Sequence, residues 1–319
     1  MGMVKQRRLL WAAKLSLPLL IMLAPLTLGA EQRIKAVASF TILADLVTAV
    51  GGDRVEVVSL APVGAEVHEW ELRPRNFRDL ERAEVFFYNG YGLEQWIRQV
   101  RATVGGDVDL IAVAEKSGYP TKPIRIGELE GEPDPHMWMD PRAVERYIEV
   151  IYQTLAELDP DGEELYRDRA DEYQAELKEL YADLEEKLAT IEEERRILIT
   201  SEAAFPYFAH AYDFRHDGIW GSNAEEEGSP RQMMRVVDLV NEWRPGAIFW
   251  ESTISDRYVR SVASDTGVAV AGPLYVDSLG EPDGVAGHYL SMMRHNANVI
   301  VAALGDGEGG DVGDEVGDD

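Results

Sequence analysis

The sequence predicts an α/β protein of two lobes, each a mainly parallel sheet flanked by helices, joined by one long rigid helix. Three observations carry that expectation. Short β-favouring apolar runs alternate with helical patterns from Ile34 to Val113, and again from Ile197 to Leu304, which is the rhythm of strand and crossover helix in a parallel sheet. Between the two stretches the alternation stops, and Glu163 to about Glu194 reads as a single helical pattern. With 319 residues the chain is also long enough for two domains that each bury a core. The expected division is residues 1–30 as a signal peptide, 31–160 as the first lobe, 161–195 as the linking helix, 196–304 as the second lobe and 305–319 as a disordered acidic tail.

The leader begins with Lys5, Arg7 and Arg8, continues through an apolar run from Leu9 to Leu28, and ends in Leu28-Gly29-Ala30. That is the pattern of a secretory signal cut after Ala30; an uncleaved membrane anchor is the competing reading, because the run nearly reaches bilayer-spanning length. In the first lobe Ile34 to Ala38 reads as a strand, Ile42 to Val50 as a helix stopped by Gly51-Gly52, and Val55 to Leu60 as a strand. The loop from Ala61 then carries His68. Phe77 to Ala83 and Leu93 to Val100 read as helices, Val85 to Tyr88 and Leu110 to Val113 as strands, and Ser117 to Pro133 as a loop rich in Pro, Gly and charge. In Asp134-Pro135-His136-Met137-Trp138-Met139-Asp140-Pro141 the prolines hold the backbone extended around His136. Asp140-Pro141 is an N-cap with proline at the first helical position, opening a helix that runs to Leu158.

In the linking helix Tyr173, Leu177, Leu180, Tyr181, Leu184, Leu188 and Ile191 recur at steps of three and four, while the other faces carry Glu, Lys and Arg. At 1.5 Å per residue it would be about 45 Å long. A dimeric coiled coil is the alternative use of that seam; one seam between two α/β halves favours an intramolecular brace. Beyond it, Ile197 to Thr200 is a strand ending in Ser201-Glu202, Phe205 to Tyr212 is helical, and Ser229-Pro230 caps a helix to Trp243. Ala247 to Trp250 is a strand and Arg257 to Ser264 a helix. Val268 to Val270 is a strand leading to Asp277, and Val285 to Leu304 is the last helix. Glycine and acid dominate the tail, a composition that cannot bury a core.

The absence of cysteine excludes disulfides, thiolate metal sites and cysteine nucleophiles, and predicts a soluble periplasmic protein that is not a lipoprotein. The formal net charge is -27. The leader holds four basic residues (Lys5, Arg7, Arg8, Lys14) and no acidic one, so its removal takes -27 to -31. Such a surface repels nucleic acid and anionic lipid.

Ligands of open parallel sheets bind beyond the carboxyl ends of the strands. The metal-capable residues that follow predicted strand ends are His68 and His136 in the first half and Glu202 and Asp277 in the second. Two imidazoles and two carboxylates supply four or more donor atoms and neutralise a divalent cation. Each residue also has a bland reading: His68 on a surface loop, His136 as a satisfied core histidine, Glu202 as an N-cap and Asp277 as a turn residue. His210, His216, His288 and His295 read as surface or core residues.

His68-Glu69-Trp70-Glu71, the segment from Asp134 to Pro141, Thr200-Ser201-Glu202-Ala203-Ala204-Phe205 and Tyr275-Val276-Asp277-Ser278-Leu279 resemble, in order, the signature segments of the metal-binding solute-binding proteins of manganese, zinc and iron ABC importers. The resemblance runs from about Lys35 to about Val301. It implies a metal in the cleft between the lobes, delivery to an ABC membrane permease, and His68, His136, Glu202 and Asp277 as the ligands of one divalent ion carried as cargo. Trp70 and Leu72 depart from the tyrosine and proline usual in relatives. Glu202 stands where zinc-type members commonly have histidine, and no histidine-rich loop precedes His136. Both differences, together with the harder donor set, favour Mn²⁺ over Zn²⁺ or Fe²⁺. The protein is expected to act as a monomer, and its affinity to fall below about pH 6.5 as protons compete for the histidines. A metallohydrolase is the rival reading; it would need an open coordination position and a nearby base, for which Glu69 is the best remaining residue. No G-x-S-x-G or H-E-x-x-H motif is present.

Overall fold

Four short strands, Ile34–Ala38 (β1), Val55–Ser59 (β2), Val85–Tyr88 (β3) and Asp109–Ala112 (β4), form the sheet of the first lobe in the order β2-β1-β3-β4, every pair parallel. The structure is a computed structural model and describes residues 33–104, 106, 108–222 and 228–305. The predicted leader, and the predicted tail apart from Gly305, lie outside the described residues. Strand β3, Val-Phe-Phe-Tyr, is buried at all four positions, as a central strand covered on both faces requires. Helices Thr41–Gly51 (α1), Pro74–Glu81 (α2), Ile97–Thr103 (α3) and Val113–Ser117 (α4) accompany the strands. α1 ends as the two glycines predict: Gly52 adopts φ +53, and a Cβ there would lie 2.8 Å from the guanidinium carbon of Arg169.

The helix predicted over Leu93–Val100 begins only at Ile97. Gly90 and Gly92 take positive φ, and the Glu94 carboxylate turns back to accept from the backbone N–H of Asn89 and Gly90 at 2.7 and 3.1 Å. The Glu94 side chain thereby closes a loop where the helical reading places a first turn. The boundary at Asp140 is as predicted: its carboxylate accepts from Arg142 N at 3.0 Å, Pro141 is the first helical residue, and Pro141–Leu158 (α5) follows.

The linking helix, Glu163–Leu188 (α6), has 26 residues, about 39 Å at 1.5 Å per residue, and stops short of Glu194. Ile191 still reaches the core, but through a turn in which its N–H bonds Leu188 O and its carbonyl accepts from Arg196 Nε. Tyr166, Ala170, Leu177, Leu180, Leu184 and Leu188 are its buried face. They belong to one continuous core with Ile42 and Leu46 of the first lobe, Tyr147 and Ile151 of α5, and residues of the last helix of the chain. The seam that a coiled-coil partner would occupy is therefore filled from within the chain.

The second lobe contains Ile197–Glu202 (β5), Arg215–Trp220 (β6), Ala247–Glu251 (β7) and Ala269–Leu274 (β8), with Pro206–Tyr212 (α7), Pro230–Trp243 (α8), Arg257–Thr266 (α9) and Tyr289–Leu304 (α10). β5 pairs with β6 and β7 with β8, both parallel. At the junction of the two pairs the Glu251 carboxylate accepts from Ser201 N at 3.2 Å and Glu202 N at 3.0 Å, so a side chain continues the ladder where backbone pairing lapses. Strand β6 is absent from the sequence-based expectation because Arg-His-Asp-Gly-Ile-Trp lacks a β-favouring run. Here tertiary pairing overrides local propensity.

Candidate metal centre

Each of the four residues singled out by spacing leaves a different element. His68 lies in the loop after β2, Glu202 is the last residue of β5, and Asp277 follows β8 by three residues. His136 does not sit directly beyond a strand: α4 and the loop from Gly118 to Pro135 separate it from β4. All four are buried, none more than 1% exposed, and one donor atom from each lies within 4.8 Å of the others. They form the one group of three or more potential ligands that comes together in this way among the described residues.

His68 Nε2 and His136 Nε2 are 3.3 Å apart. Glu202 Oε1 is 3.8 Å from His68 Nε2, Glu202 Oε2 is 3.6 Å from His136 Nε2, and Asp277 Oδ1 is 3.5 Å from His136 Nε2. An ion held at about 2.1 Å by four tetrahedral donors sets those donors about 3.4 Å apart, so the residues fit a transition-metal ion at their centre. Two buried carboxylates also need positive charge, since burying unpaired anions is costly.

In the metal-free chain the carboxylates draw a proton toward one of the imidazoles. Burial acts against a protonated His136, but the carboxylates of Glu202 and Asp134 outweigh it and hold this imidazole well above its usual pKa. His68 goes the other way, lowered to about 4 by burial, only partly offset by Asp277. Burial works against the ionised Asp277, yet the hydrogen bond and charge of His136 keep its carboxyl below the usual range. His136 is thus the imidazole on which a proton is favoured, while burial and Asp277 also push the neighbouring Glu66 carboxyl up.

Each of the two histidines has its backbone held by an acid two residues before it, but only His136 is also held through its ring. Asp134 Oδ1 accepts from His136 N at 2.9 Å and from Nδ1 at 3.0 Å, fixing the tautomer that presents Nε2 inward. Glu66 Oε1 accepts from His68 N at 2.8 Å. In both cases the acid stands two residues before the histidine, a spacing visible in the sequence that residue type alone does not single out. Asn89 Nδ2 donates to Pro135 O at 2.9 Å, and Asn89 Oδ1 accepts from Tyr147 Oη at 2.8 Å, so the buried end of β3 also holds the His136 loop. The ring of Trp138 packs edge-on against His136 with centroids 5.2 Å apart.

The remaining histidines do not join the cluster. His216 is buried in β6 and its Nε2 accepts from Phe205 N at 3.2 Å. His288 precedes α10 and meets Asp45 at 3.0 Å, His295 Nε2 bonds Pro273 O at 3.2 Å, and His210 is exposed on α7. Glu69 is exposed, whereas the four donors are buried.

A family model described as ZnuA, zinc-uptake complex component A, periplasmic, matches residues 36–303. The chain is similar to the manganese-binding lipoprotein MntA of Halalkalibacterium halodurans, at 39% identity over 86% of this chain and 89% of the relative. It is similar to the iron-binding protein YfeA of Yersinia pestis at 35% identity, over 86% of this chain and 87% of the relative. Among solved structures, the periplasmic zinc-binding protein TroA of Treponema pallidum superposes with a TM-score of 0.80 at 28% identity, over 86% of this chain and 99% of TroA. These relatives correct one expectation, that of a protein which is not a lipoprotein: MntA and streptococcal relatives are named lipoproteins. The extracytoplasmic location is what the relatives support. The missing cysteine bears on a single attachment chemistry, and the leader on which the reading rested lies outside the described residues.

Proposed function

This chain belongs to the ZnuA family of periplasmic zinc-uptake components, and we propose that it captures one Mn²⁺ ion with His68, His136, Glu202 and Asp277 and hands it to an ABC permease. That it is a substrate-binding protein for divalent transition metals in an ABC importer follows from the family and its relatives. The observation that carries the ligand assignment is the convergence of two imidazole Nε2 atoms at 3.3 Å with two buried carboxylates. A donor set with as much carboxylate as imidazole suits a hard ion such as Mn²⁺, and MntA, a manganese binder by name, shares 39% of its residues with the chain it overlaps. The family description and TroA favour Zn²⁺, and zinc outranks manganese in intrinsic affinity for most such sites.

In this reading residues 31–160 and 196–304 are the lobes, 161–195 is the link, and the metal is cargo that fastens the lobes across their cleft. Ionised carboxylates attract the ion, His136 gives up the proton on Nε2, and the Nε2 atoms of His68 and His136 bind. The permease recognises the loaded form. The protein works as a monomer, catalyses no reaction, and at a net charge of -27 has no affinity for nucleic acid. A metallohydrolase would keep a coordination position open for water, whereas here four protein donors surround the centre.

The test is the metal content of protein made in metal-limited medium, followed by Mn²⁺ and Zn²⁺ titrations of the stripped protein and of Glu202→Ala. The expected result is one ion per chain and a severe loss of affinity in the variant. Absence of a stoichiometric ion, or a variant that binds as the parent does, would overturn the assignment; zinc retained in manganese-sufficient medium would reassign the cargo.

A further inference from the structure

Asp277 is counted with the second lobe because it follows β8, yet the backbone around it is bonded to the first lobe. Val276 O accepts from Trp138 Nε1 at 2.9 Å, two residues from His136. Ser278 Oγ accepts from Gly64 N at 2.8 Å, four residues before His68. Leu279 N donates to Thr41 Oγ1, at the start of α1, at 2.8 Å. The two hydroxyls, Thr41 Oγ1 and Ser278 Oγ, are 3.4 Å apart. Ser278 uses its own proton on Leu279 O at 2.8 Å, so Thr41 is the donor between them. Val276 and Leu279 are packed in the same core as Phe40, Val67 and Trp138, and Val276, Asp277, Ser278 and Leu279 are each at most 5% exposed.

The Glu202 backbone is tied differently. Its N–H is held by Glu251, its carbonyl accepts from Thr200 Oγ1, and Ala203 N bonds Trp220 O at 2.9 Å, all within the second lobe. Two further links near the site, Tyr207 Oη to Asp134 O at 2.9 Å and Tyr289 Oη to Trp138 O at 2.7 Å, reach the His136 segment from the second lobe.

We infer that Thr41 and Ser278 are positioning residues forming a clasp that mounts Asp277 on the first lobe, so that His68, His136 and Asp277 are one preassembled face and Glu202 is the ligand that closes it. This rests on the four-ligand reading above. Ser278 is the pivot, because its hydroxyl touches both the His68 loop and the Asp277 loop. Opening of the lobes would separate Glu202 from the other three before Asp277 leaves them, giving the ion a three-donor intermediate on the way in and out.

The test uses the full chain as parent, Thr41→Val, which keeps the shape of the side chain, and Thr41→Ser, which keeps the hydroxyl. Two quantities are read: hydrogen exchange at the Leu279 amide in the metal-free protein, and the rate of Mn²⁺ release to excess chelator by stopped flow. Thr41→Val is expected to speed both by about three- to tenfold, the worth of one buried hydrogen bond, and Thr41→Ser to restore them. Unchanged Leu279 exchange, or unchanged release, in Thr41→Val overturns the clasp. Ser278→Ala gives the same readings should Thr41→Val fail to fold. Asp277→Ala separates the two ideas: if it abolishes binding while Thr41→Val alters nothing, only the clasp fails, and if it binds as the parent does, the ligand assignment itself fails.

Discussion

Asp134 binds no metal in this arrangement, yet Asp134→Asn should weaken metal binding by about an order of magnitude. Its Oδ1 accepts two hydrogen bonds from His136, one from the backbone and one from the ring, at 2.9 and 3.0 Å between groups at most 1% exposed. Asparagine keeps an acceptor of the same shape and removes only the charge. A hydrogen bond to a charged group contributes about 1.5–3 kcal/mol and a neutral one about 0.5–1.5, so the difference is about 1–2 kcal/mol, or about five- to thirtyfold in affinity. That agrees with the loss of about 10- to 100-fold typical when a partner behind a ligating histidine is removed. The assay is competition against a chelator dye at pH 8, with thermal unfolding of the stripped variants as control. Asp134→Ala, which also frees the ring to rotate, should lose more than Asp134→Asn. If both variants bind within about twofold of the parent, the second carboxylate does not set the basicity or aim of His136 and the argument is wrong.

Proton competition should enter in two stages. His136 titrates well above the ordinary imidazole range and His68 at about 4, and metal requires both in the neutral form. As pH falls through the His136 value the apparent affinity should drop about tenfold per unit, with the second proton adding to the slope only near pH 4; titrations across pH 5 to 9 that show a slope of two opening at 6.5 would sink this ordering. For folding of the metal-free chain the signs are opposite: raised His136 gives stability that is lost as pH rises through its folded value, whereas depressed His68 gives stability above about 6.5 that is lost toward pH 4. Gly218→Ala would bring a Cβ to 2.5 Å from Ala203 N and 2.7 Å from the Glu202 carbonyl carbon. It should cost about 1–3 kcal/mol of stability and also weaken metal binding, as calorimetry would show. Leu180→Ala, at the fully buried seam of α6, should cost about 2–5 kcal/mol in urea denaturation, and a loss well below 1 kcal/mol would mean that the helix is not braced from within.

The Asp140-Pro141 helix start, strands β1 and β3 and the α/β alternation were legible without coordinates, because each rests on local chemistry: a capping side chain, a proline, a period of two or of 3.6; His68, His136, Glu202 and Asp277 were singled out by residue type and by resemblance to a family's signature segments. The extent of α6 was overread, since Ile191 keeps the apolar period while the backbone has already turned. Strand β6 was hidden because its pairing with β5, and not its own residues, makes it a strand. The acids two residues before each histidine were in plain view, but only their hydrogen bonds distinguish them from the many other carboxylates of a chain with 58 Asp and Glu. Residue type and spacing picked out the residues with metal chemistry, of which His68, Glu202 and Asp277 stand at or beyond strand ends while His136 lies past α4 and a long loop. Tertiary structure alone decided that their donor atoms share one buried centre, that the carboxylates of Glu202 and Asp134 push the His136 imidazole toward its charged form, and that the Leu279 amide, two residues past Asp277, bonds Thr41, 238 positions away in the numbering. Electrostatic coupling and hydrogen bonding between segments so far apart depend on distances that no local period encodes.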